Sequence, residues 1–558
     1  QNIWGKHTFK YGFEFNRNIY KIDQRITGPS LTFADPNNLS VTQGGDASIK
    51  SVNGYRVTNN FGVCAVQGNT LVCPTANLRN LALALIAGGG APAGITNATL
   101  NAGISSTALS AAPFLIRVTT RVRDFELLAP NTYTSVESFY IQDDYKISKD
   151  VQLNVGLRWD YQQAAGSSGS GTRSYLKLNN FMDNLQPRLG LVYDFTGQGK
   201  GKLFVNYARY LETPLPLDVN VRAGSEGTQT DKNFNVDRLN APAGSTVVAA
   251  LGNFGAATTP VDPDLKPQTV NEVTAGIEYE IAKDLALSAR GIYRAQGSVI
   301  EDGSFDNGTT YFLFNPGESQ TDRLAVSTIG SSFGRARRYY RALEFSATKR
   351  FSNNYQFIAS YVFSSLIGNY EGLFRNDNGQ SDPNITSLFD LVGLLENTYG
   401  RLPNDRPHVF KFDGSYQTPF RLMIGGSFRA QSGIPFNQGI PDPSGNYTTD
   451  NQGLGVPRGT AINPLTGRNR TPTTYNLDLN AYYPIKLGEK KQLRFQVDWF
   501  NVFNSQRALT EDITYQINSG IPGAGAGAGS LQFLNPFYGT GIFFQFPSSL
   551  RLGVKFQF

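Results

Sequence analysis

The last ten residues of the chain, 549–558, read as one β-strand with two unlike faces. Every second side chain is apolar, and the residues between them are polar or glycine. Because neighbouring side chains in a strand point to opposite faces, one face is continuously apolar and the other is open and polar. The apolar face carries Leu550, Leu552, Val554, Phe556 and Phe558, and the polar face carries Arg551, Gly553, Lys555 and Gln557.

The same alternation recurs in six hairpins along the chain. In the first, an alternating run ends at Ile147, the chain turns at 148–150, and the alternation resumes from Val151 to Tyr161. The other five hairpins turn at 197–200, 282–284, 352–354, 418–419 and 487–489. With a first strand from Lys6 to Tyr20 and the closing strand, the pattern predicts about 14 antiparallel strands.

Long polar segments separate these hairpins. They are rich in Gly, Asn, Asp, Pro and Thr; examples are 212–267, 368–404 and 433–472, and the first, at about 21–131, is the longest. Structureless loops of more than about 15 residues are uncommon in compact soluble domains. Short periplasmic turns that alternate with long extracellular loops are typical of bacterial membrane barrels.

The polar faces of the predicted strands are expected to contact water rather than a dry protein core. After the first turn, five successive positions on one face are Gln152, Asn154, Gly156, Arg158 and Asp160. Each buried polar group without a partner costs about 1–3 kcal/mol. We therefore predict an all-β fold, a transmembrane antiparallel β-barrel that forms one domain over residues 1–558. The alternative is a soluble β-sandwich or propeller, although a propeller would show a regular repeat.

The composition favours strands over helices as membrane-spanning elements. Charged residues make up 17% of the chain and aromatic residues 12%. No window offers the run of about 18 apolar residues that a membrane helix needs. The best window, Leu81–Ile95, is interrupted by three glycines and Pro92. The net charge of +6 is spread along the strands without a basic block, so we expect no nucleic-acid partner.

Two sets of side chains follow from the barrel hypothesis. Aromatic residues near strand ends are expected to form a girdle at the membrane interfaces. This girdle comprises Trp159, Tyr161, Tyr193, Phe195, Tyr355 and Trp499. Charged residues on the polar faces are candidates for facing the lumen. There they would pair with one another and so satisfy the charged groups of the barrel wall. These candidates are Arg158, Asp160, Arg188, Asp194, Arg290, Arg494 and Asp498.

Cys64 and Cys73 are the two cysteines of the chain. Their spacing does not match C-x-x-C, and no histidine lies near them, which disfavours a metal or redox pair. We predict a disulfide that closes a small surface loop, which implies an oxidising compartment. Residues 1–20 read as a strand rather than a signal peptide, which fits processing or truncation of the chain.

No motif in the sequence indicates an enzyme. The hydrolase pattern G-x-S-x-G and the zinc pattern H-E-x-x-H do not occur. His7 and His408 are expected to be solvated or to face the lumen. Asp143–Asp144 and Asp262–Asp264 are interpreted as rim and loop carboxylates rather than as a cation site. We expect neither a catalytic residue nor a metal or other cofactor.

Several segments resemble TonB-dependent outer-membrane receptors. The hairpin formed by Ser138–Lys146 and Leu153–Tyr161 is similar to one in that family, as is Asn184–Asp194. Asn404–His408 and Trp499–Asn504 resemble the Oar-like branch. The order of these motifs along the chain is more specific to the family than any single motif. The similarity covers the strands rather than the loops.

The resemblance implies a 22-stranded barrel that holds an amino-terminal plug with a TonB box. Only about 14 strands are visible, so the chain resembles the carboxy-terminal portion of such a barrel. The implied partners are outer-membrane lipid, the plug and early strands on the same or a second chain, the TonB complex through the plug, and an unknown extracellular ligand. The lumen-facing candidates would then also offer a contact surface for the plug or for an anionic substrate.

The function implied by the resemblance is that of a transport receptor in the outer membrane of a Gram-negative bacterium. It would bind a ligand at its extracellular loops and import it with energy relayed by TonB. Two alternatives stay open at this point. One is a passive outer-membrane channel, and the other is a structural or adhesive surface barrel.

Overall fold

The structure is a computed structural model. It describes residues 1–20, 30–34, 40–41, 56–59, 62–67, 70–72, 117–126, 132–168, 171–215, 226–236, 249–255, 260–305, 310–372, 375, 386–441, 452–488, 491–518, 532–535 and 537–558. Strands dominate these residues, with a single α-helix of ten residues and one short 3-10 helix among them.

The strands are numbered in chain order. The first sixteen are β1 (Asn2–Trp4), β2 (His7–Tyr20), β3 (Ser30–Ala34), β4 (Ser40–Val41), β5 (Arg56–Asn59), β6 (Gly62–Gln67), β7 (Thr70–Val72), β8 (Arg117–Glu126), β9 (Thr132–Lys146), β10 (Val151–Ser168), β11 (Gly171–Leu178), β12 (Leu185–Tyr193), β13 (Gly201–Leu211), β14 (Glu226–Val236), β15 (Ala249–Gly255) and β16 (Thr269–Ala282).

The remaining elements are β17 (Leu285–Gln296), β18 (Glu301–Ser304), β19 (Tyr311–Phe314), the helix α1 (Gln320–Ile329), β20 (Arg338–Ser352), β21 (Tyr355–Gly368), the 3-10 helix Val392–Leu395, β22 (Gly400–Arg401), β23 (His408–Gln417), β24 (Met423–Gln431), β25 (Gly439–Pro441), β26 (Gln452–Leu454), β27 (Thr474–Lys486), β28 (Gln492–Phe500), β29 (Ala508–Glu511), β30 (Gln516–Asn518), β31 (Gln532–Leu534), β32 (Gly541–Phe544) and β33 (Ser549–Gln557).

One antiparallel sheet of 17 strands forms the wall of the molecule. Three of its strands, β1, β11 and β22, are short flanking pieces, which leaves 17 − 3 = 14 main strands. Each main strand pairs with the next along the chain, in the order β2, β9, β10, β12, β13, β16, β17, β20, β21, β23, β24, β27, β28 and β33. These are the strands that the alternation predicts.

Six tight turns join main strands at one end of the wall. Asn353 and Asn354 form one of them between the paired residues Ser352 and Tyr355. Both asparagines have positive φ angles, 54° and 70°. A two-residue hairpin of this kind matches the right-handed twist of its strands, and asparagine tolerates the left-handed conformation that it requires. The opposite end of the wall carries the long connections.

The apolar face of the wall is exposed. Leu157, Leu343 and Val554 have exposed fractions of 43%, 52% and 67%, and similar side chains cover the same face on every main strand. Apolar patches of this extent on a protein surface mark contact with another molecule or with a membrane. Among the described helices, none is long and apolar enough to cross a membrane.

The long connections form small sheets and apolar clusters of their own, which we call the roof. One cluster joins Leu178 of β11 to Leu215, Ile300 and Leu313. A second packs Phe314 of β19 against Ala325 of α1 and Phe333. The pairing of the main strands does not depend on these clusters, and the composition of the long segments did not predict them. Most of the long segment 21–131 lies outside the described residues.

The sheet has two edges. Strand β1 pairs with β2 only from Trp4 opposite His7 to Asn2 opposite Phe9. At the other edge β33 pairs with β28. Within the described part of the chain, no strand pairing joins β33 to β1 or β2.

Candidate functional site

A cavity of about 690 Å³ lies on the polar face of the wall. It touches seven neighbouring main strands, from Thr348 on β20 to Arg551 on β33. Seven strands laid flat would span about 29 Å at 4.8 Å per step. Since one cavity reaches all of them, the sheet curls around its polar face. Carboxylates on three strands line it: Asp413, Asp478 and Asp498.

Cross-strand ion pairs run along this polar face. Lys10 on β2 contacts Asp144 on β9 at 2.7 Å. Arg290 on β17 contacts Glu344 on β20 at 2.9 Å. Arg551 on β33 contacts the Asp498 carboxylate at 2.8 Å. Such pairs satisfy the hydrogen-bonding groups of the charged side chains on this face of the wall. Sequence reasoning named Arg290 and Asp498 but missed their partners, because pairing depends on the register between strands.

Arg158 is the centre of a denser network near the roof. Its Nε donates to Asp160 Oδ1 at 2.8 Å and its Nη2 donates to Ser138 Oγ at 2.7 Å. Glu14 on β2 accepts from both Nη atoms at 3.3 Å. Gln186 donates to the other oxygen of Asp160, which is buried. Arg158 and Asp160 therefore lie together on the polar face, and β2, β9, β10 and β12 meet there.

Two further lumen candidates pair with aromatic rings. The guanidinium carbon of Arg188 lies 5.3 Å from the ring centroid of Tyr210, and that of Arg494 lies 4.2 Å from the ring centroid of Tyr482. Both geometries are within the range of cation–π attraction. Among the residues that the structure describes, neither arginine forms the carboxylate pair that the sequence suggested, and both stand on the polar face.

Asp194 differs from the sequence prediction. It follows the last residue of β12 and lies in the turn 194–200 rather than on the lumen face. Its carboxylate accepts hydrogen bonds from the Thr196 hydroxyl and from the backbone N–H groups of Thr196, Gly197 and Gly199. The Thr196 hydroxyl bond, opposed by desolvation and supported by the three backbone bonds, lowers the pKa of Asp194. Its role in this fold is to organise the turn.

The six predicted girdle residues occupy two levels. Tyr193, Phe195 and Tyr355 lie beside the tight turns. Trp159, Tyr161 and Trp499 lie seven to ten residues from the turn ends of their strands, toward the roof; Trp499 is next to the last residue of β28, whereas β10 continues past Tyr161 to Ser168. Trp159 is eight residues from Val151 at the start of β10, which is about 26 Å along a strand. The apolar band of an outer-membrane barrel is about 25 Å tall and its strands are tilted, so this spacing places the two levels about 20 Å apart in height. The interfacial girdle stays a prediction.

The closing strand shows its apolar residues on the same face as those of β28. Leu550 lies opposite Trp499, Leu552 opposite Val497, Val554 opposite Phe495 and Phe556 opposite Leu493. Phe558 follows the last residue of β33 and stacks on Phe556, with ring centroids 5.8 Å apart. The apolar face predicted from these ten residues is continuous with that of the wall.

The predicted cysteine pair is not placed by the structure. Cys64 belongs to β6, whereas Cys73 lies outside the described residues. The disulfide stays a prediction.

Asp262 serves the roof rather than a cation. Its Oδ2 accepts from the backbone N–H of Thr321 at 2.8 Å and from the Thr321 hydroxyl, and thereby holds the first turn of α1. Burial raises the pKa of Asp262, but the hydrogen bonds from Thr321 and Asp264 outweigh it and leave the pKa lowered. Across the described ranges, no three metal-ligating side chains come together.

Asp143 and Asp144 lie near the turn end of β9 and point to opposite faces, so they do not form one site. Asp144 is on the polar face with Lys10. Asp143 is on the apolar face, where its Oδ2 is 2.7 Å from His7 Nδ1. His408 is also on the apolar face, opposite Phe363. Neither histidine faces the lumen, because their strands place both on the face that carries Phe9 and Phe410. Each is the first residue of its strand, the His7 side chain is 40% exposed and His408 is exposed, so the alternative that they are solvated stays a prediction.

Buried ionisable groups in the roof were missed by sequence reasoning. Glu301 has no exposed surface, and it accepts from the backbone N–H of Thr386 at 2.8 Å and from its hydroxyl at 3.3 Å. Burial, with the nearby charges of Asp302 and Asp390, raises the pKa of Glu301 well above its ordinary value. Burial likewise raises the pKa of Tyr370. The Glu301 carboxyl group thus fastens β18 to the segment at Thr386.

A buried ion cluster ties three roof segments together. The Glu371 carboxylate contacts the guanidinium of Arg458, and Arg375 Nε lies 4.0 Å from the same oxygen. Both arginine side chains are fully buried. Arg458 Nε also donates to the carbonyl of Thr398. These residues are separated by up to 87 positions in the sequence, so no local pattern signals their contact.

Comparisons with known proteins agree with this geometry. Residues 88–425 match the family model described as outer membrane beta barrel domain. The TonB-dependent transporter Oar of Myxococcus xanthus is 32% identical over 492 residues, which cover 78% of this chain and 44% of Oar.

Two solved structures are also similar. The siderophore receptor PiuA from Acinetobacter baumannii is 12% identical, with 99% of this chain and 54% of that chain covered and a TM-score of 0.47. The ferric-catecholate import receptor Fiu from E. coli K12 is 15% identical, with 79% and 50% covered and a TM-score of 0.42.

The family match covers more than half of the chain, and the chain spans less than half the length of its curated relative. The match agrees with the alternating faces, the tight turns at one end and the long connections at the other. The apolar face therefore meets lipid, the polar face meets the lumen, and the protein is integral to the outer membrane of a Gram-negative bacterium. The chain belongs to the outer membrane β-barrel domain family, as an Oar-like relative of the TonB-dependent receptors.

Proposed function

We propose that this chain forms the wall of an outer-membrane transport receptor that imports a ligand with energy relayed by TonB. The observation that carries the proposal is the cavity on the lumen face, with carboxylates on three strands and Arg551 on the last. A charged, hydrated inner wall offers contacts to a mobile plug and a path for a polar substrate. The relationship to Oar supports the same reading.

The roof is the proposed place of ligand recognition. It stands at the extracellular end of the wall and is held by its own apolar clusters and by the Glu371–Arg458 contact. Loops that a rigid scaffold positions commonly carry binding residues. A roof that is internally packed presents a defined surface rather than an ensemble of loops, which reduces the entropy lost on binding.

Further strands and a plug are part of the proposal. The edges at β2 and β33 would leave backbone N–H and C=O groups unpaired in lipid, at a cost of several kcal/mol for each group. Additional strands, on this polypeptide or on a second chain, would close the wall. A plug within them would contact the lumen face and carry the TonB contact.

The first test is the intact mass of the native polypeptide together with sequencing of its amino terminus. We expect a mass well above 61.1 kDa, with sequence before Gln1 that encodes a plug and early strands. The same measurement on co-purifying proteins covers a second-chain plug. A native mass equal to that of this chain with no partner would contradict the plugged receptor.

Conductance distinguishes the receptor from a passive channel. The native protein in a planar bilayer should conduct little, because a plug occupies the lumen, and it should bind purified periplasmic TonB domain. A steady open conductance without TonB binding would favour the channel. If loop deletions abolish cell contact while TonB-dependent uptake persists, the adhesive function gains support instead.

A further inference from the structure

Two hollows lie one above the other on the lipid-facing side of the wall, on the strands from β16 to β23. The lower hollow, toward the tight turns, has a volume of about 510 Å³, and the upper one about 530 Å³. Ala289 lines the lower hollow and Gly291 lines the upper one, and they are successive outer-face residues of β17. The two hollows are therefore parts of one groove, which we call the outer groove.

Small side chains form the floor of the outer groove. In the upper hollow, a Cβ added to Gly291 would meet only Leu343 Cδ2 at 3.9 Å and the carbonyl oxygen of Ala275 at 4.0 Å, which leaves room for a side chain. In the lower hollow, Ala347 lies opposite Ala359. The walls are larger apolar and aromatic side chains, among them Tyr279, Tyr293, Leu343, Phe345, Tyr361 and Phe363.

The length of the outer groove matches one leaflet of a bilayer. Arg341 lines its upper end and Ala347 its lower end, and they are 347 − 341 = 6 residues apart on β20, about 20 Å along the strand. Strands of outer-membrane barrels tilt by about 35–45°, so this length corresponds to about 15 Å of height. The hydrocarbon core of a bilayer is about 30 Å thick, and one leaflet is half of it.

Arg341 stands at the outer boundary of the membrane. Its strand ends at the tight turn after Ser352, which is 352 − 341 = 11 residues away and about 36 Å along the strand. With the tilt of barrel strands this is about 28 Å of height, slightly more than the apolar band of about 25 Å. Since the tight turns mark the periplasmic end of the wall, Arg341 lies at the level of the headgroups of the outer leaflet.

The charge of Arg341 has no carboxylate partner. The side chain is exposed on the outer face, and its guanidinium carbon is 5.8 Å from the ring centroid of Tyr293, a wall residue of the upper hollow. Arg341 forms no ion pair with any residue that the structure describes. By contrast, Arg290 and Arg294 of the neighbouring strand face the lumen, and each contacts a carboxylate. A cation above an apolar groove fits an amphiphile with an anionic head.

We propose that the outer groove binds an anionic lipid of the outer leaflet, with an acyl chain along Gly291, Ala289 and Ala347 and its headgroup phosphate at Arg341. Continuity supports this occupant, since the groove lies within the apolar face that meets lipid. Charge complementarity supports it as well, because the planar N–H donors of arginine suit phosphate oxygens. The site is outside the lumen, so it is independent of the transport function proposed above.

Native mass spectrometry of the delipidated full-length protein tests the groove, with dimyristoyl phosphatidylglycerol as the probe. Arg341→Gln should weaken binding about tenfold, the loss expected for a hydrogen bond to a charged group. Gly291→Leu fills the upper hollow and should also weaken binding about tenfold, because methylene groups of the chain lose their contact with the floor. Unchanged binding in either variant would overturn the proposal.

Two control positions lie on the same face outside the outer groove. Arg17 on β2 is another outer-face arginine over a tyrosine, with its guanidinium carbon 3.8 Å from the ring centroid of Tyr133. Ala481 on β27 is an outer-face alanine between Ile424 and Val497. Arg17→Gln and Ala481→Leu should bind the probe like the native protein. An equal loss in these variants would mean that the whole face binds lipid without preference and would contradict a specific groove.

Changes in the probe separate the head of the lipid from its chains. Dimyristoylglycerol lacks the phosphate, so its binding should depend on Gly291 but not on Arg341; a dependence on Arg341 would contradict the assigned contact. Dioctanoyl phosphatidylglycerol has shorter chains and should bind more weakly than the dimyristoyl probe, whereas equal affinity would contradict a chain in the groove. Inorganic phosphate should not displace the probe; full displacement would mean that free phosphate is the ligand and would overturn a lipid site.

The folding of each variant is measured alongside, as the temperature at which the folded band disappears in semi-native gel electrophoresis. Arg341→Gln and Gly291→Leu should unfold near the native temperature, because Arg341 is exposed and residue 291 has room for a Cβ. If the contact between Arg341 and Tyr293 is only structural, Arg341→Gln will lower the unfolding temperature and leave lipid binding unaltered. That result would also overturn the proposal.

Discussion

Asp498 on β28 and Arg551 on β33 join the last strand to its neighbour across the lumen face. Asp498 Oδ2 lies 2.8 Å from Arg551 Nη2 and 2.9 Å from its Nε. Gln496 donates to the same carboxylate, and the ring of Phe500 lies 5.3 Å from the guanidinium carbon. Strand β33 is thus held by a polar contact on its lumen face, in addition to its backbone hydrogen bonds to β28 and the contacts of its apolar face.

Asp498→Asn should lower the stability of the wall by about 1 kcal/mol, and no more, because Arg551 is two-thirds exposed and water screens the pair. The measurement is the temperature at which the folded band disappears in semi-native gel electrophoresis. Lys555→Ala is the control, because Lys555 lies on β33 with Arg551 and on the same face. Lys555 lies opposite Arg494, so its removal relieves a like-charge contact and should cost nothing. An equal loss in both variants would show that the Asp498–Arg551 contact contributes nothing specific.

Val497→Arg and Gln496→Arg test which face of β28 meets lipid. Val497 is on the exposed apolar face, where an arginine should cost about 2–4 kcal/mol near the middle of the membrane. Gln496 is on the lumen face opposite Gly553, where an arginine should be tolerated. Urea unfolding in lipid vesicles measures the difference. The reverse ranking of the two variants would invert the assignment of the faces.

Glu371→Gln should loosen the roof, because it leaves two fully buried arginines without this carboxylate. Breaking a buried ion pair from one side typically costs about 3–5 kcal/mol. Hydrogen exchange should increase around 369–372 and 452–460, while the strands of the wall keep their protection. The double variant Glu371→Gln with Arg458→Met should recover part of the loss, since one of the two buried positive charges is removed. If the double variant is no better than the single one, the charge is not the cause.

The roof should loosen as the pH rises, through Glu301. Its folded pKa is raised, so the neutral form stabilises the fold, and this stabilisation is lost as pH rises from the ordinary value of 4.5 through the raised one. Limited proteolysis near Thr386 between pH 5 and pH 9 should show it. Glu301→Gln keeps an uncharged acceptor for the Thr386 N–H and should flatten the profile. Glu396→Gln serves as the control, and a flattened profile there would refute the role of Glu301.

Gly433→Ala should disrupt the connection after β24. A Cβ at this position would lie 1.7 Å from the carbonyl oxygen of Thr471, so the two segments must separate. We expect a loss of about 1–3 kcal/mol, as for other overpacked sites. Gly393→Ala is the matched control, because no atom lies within 4 Å of its added Cβ. Equal unfolding temperatures for the two variants would contradict this account.

The wall could be predicted from the sequence because its signals are local. Alternation within ten residues predicts each strand. A turn such as Asn353–Asn354 is predicted by residue types that tolerate its left-handed backbone. Asp194 was misassigned because a residue at a strand end can follow either the strand or the turn, and four turn donors decided the outcome.

The roof could not be predicted in the same way. The Glu371–Arg458 contact joins residues 87 positions apart, and the contact of Glu301 with Thr386 joins residues 85 apart. Neither has a spacing that marks it in advance. The position of Asp143 on the apolar face could not be predicted for another reason. Together with its neighbour Asp144 it resembled part of a polar loop, although the two side chains point to opposite faces of β9.

Strand β10 is 18 residues long, which is about 59 Å of extended chain. A tilted strand crosses a bilayer with about 9–11 residues. The remaining residues continue past the headgroups and carry the roof some 25 Å outward along the strand. The roof is therefore raised on a stem above the cell surface, where a particle too bulky to approach the bilayer itself can still touch it.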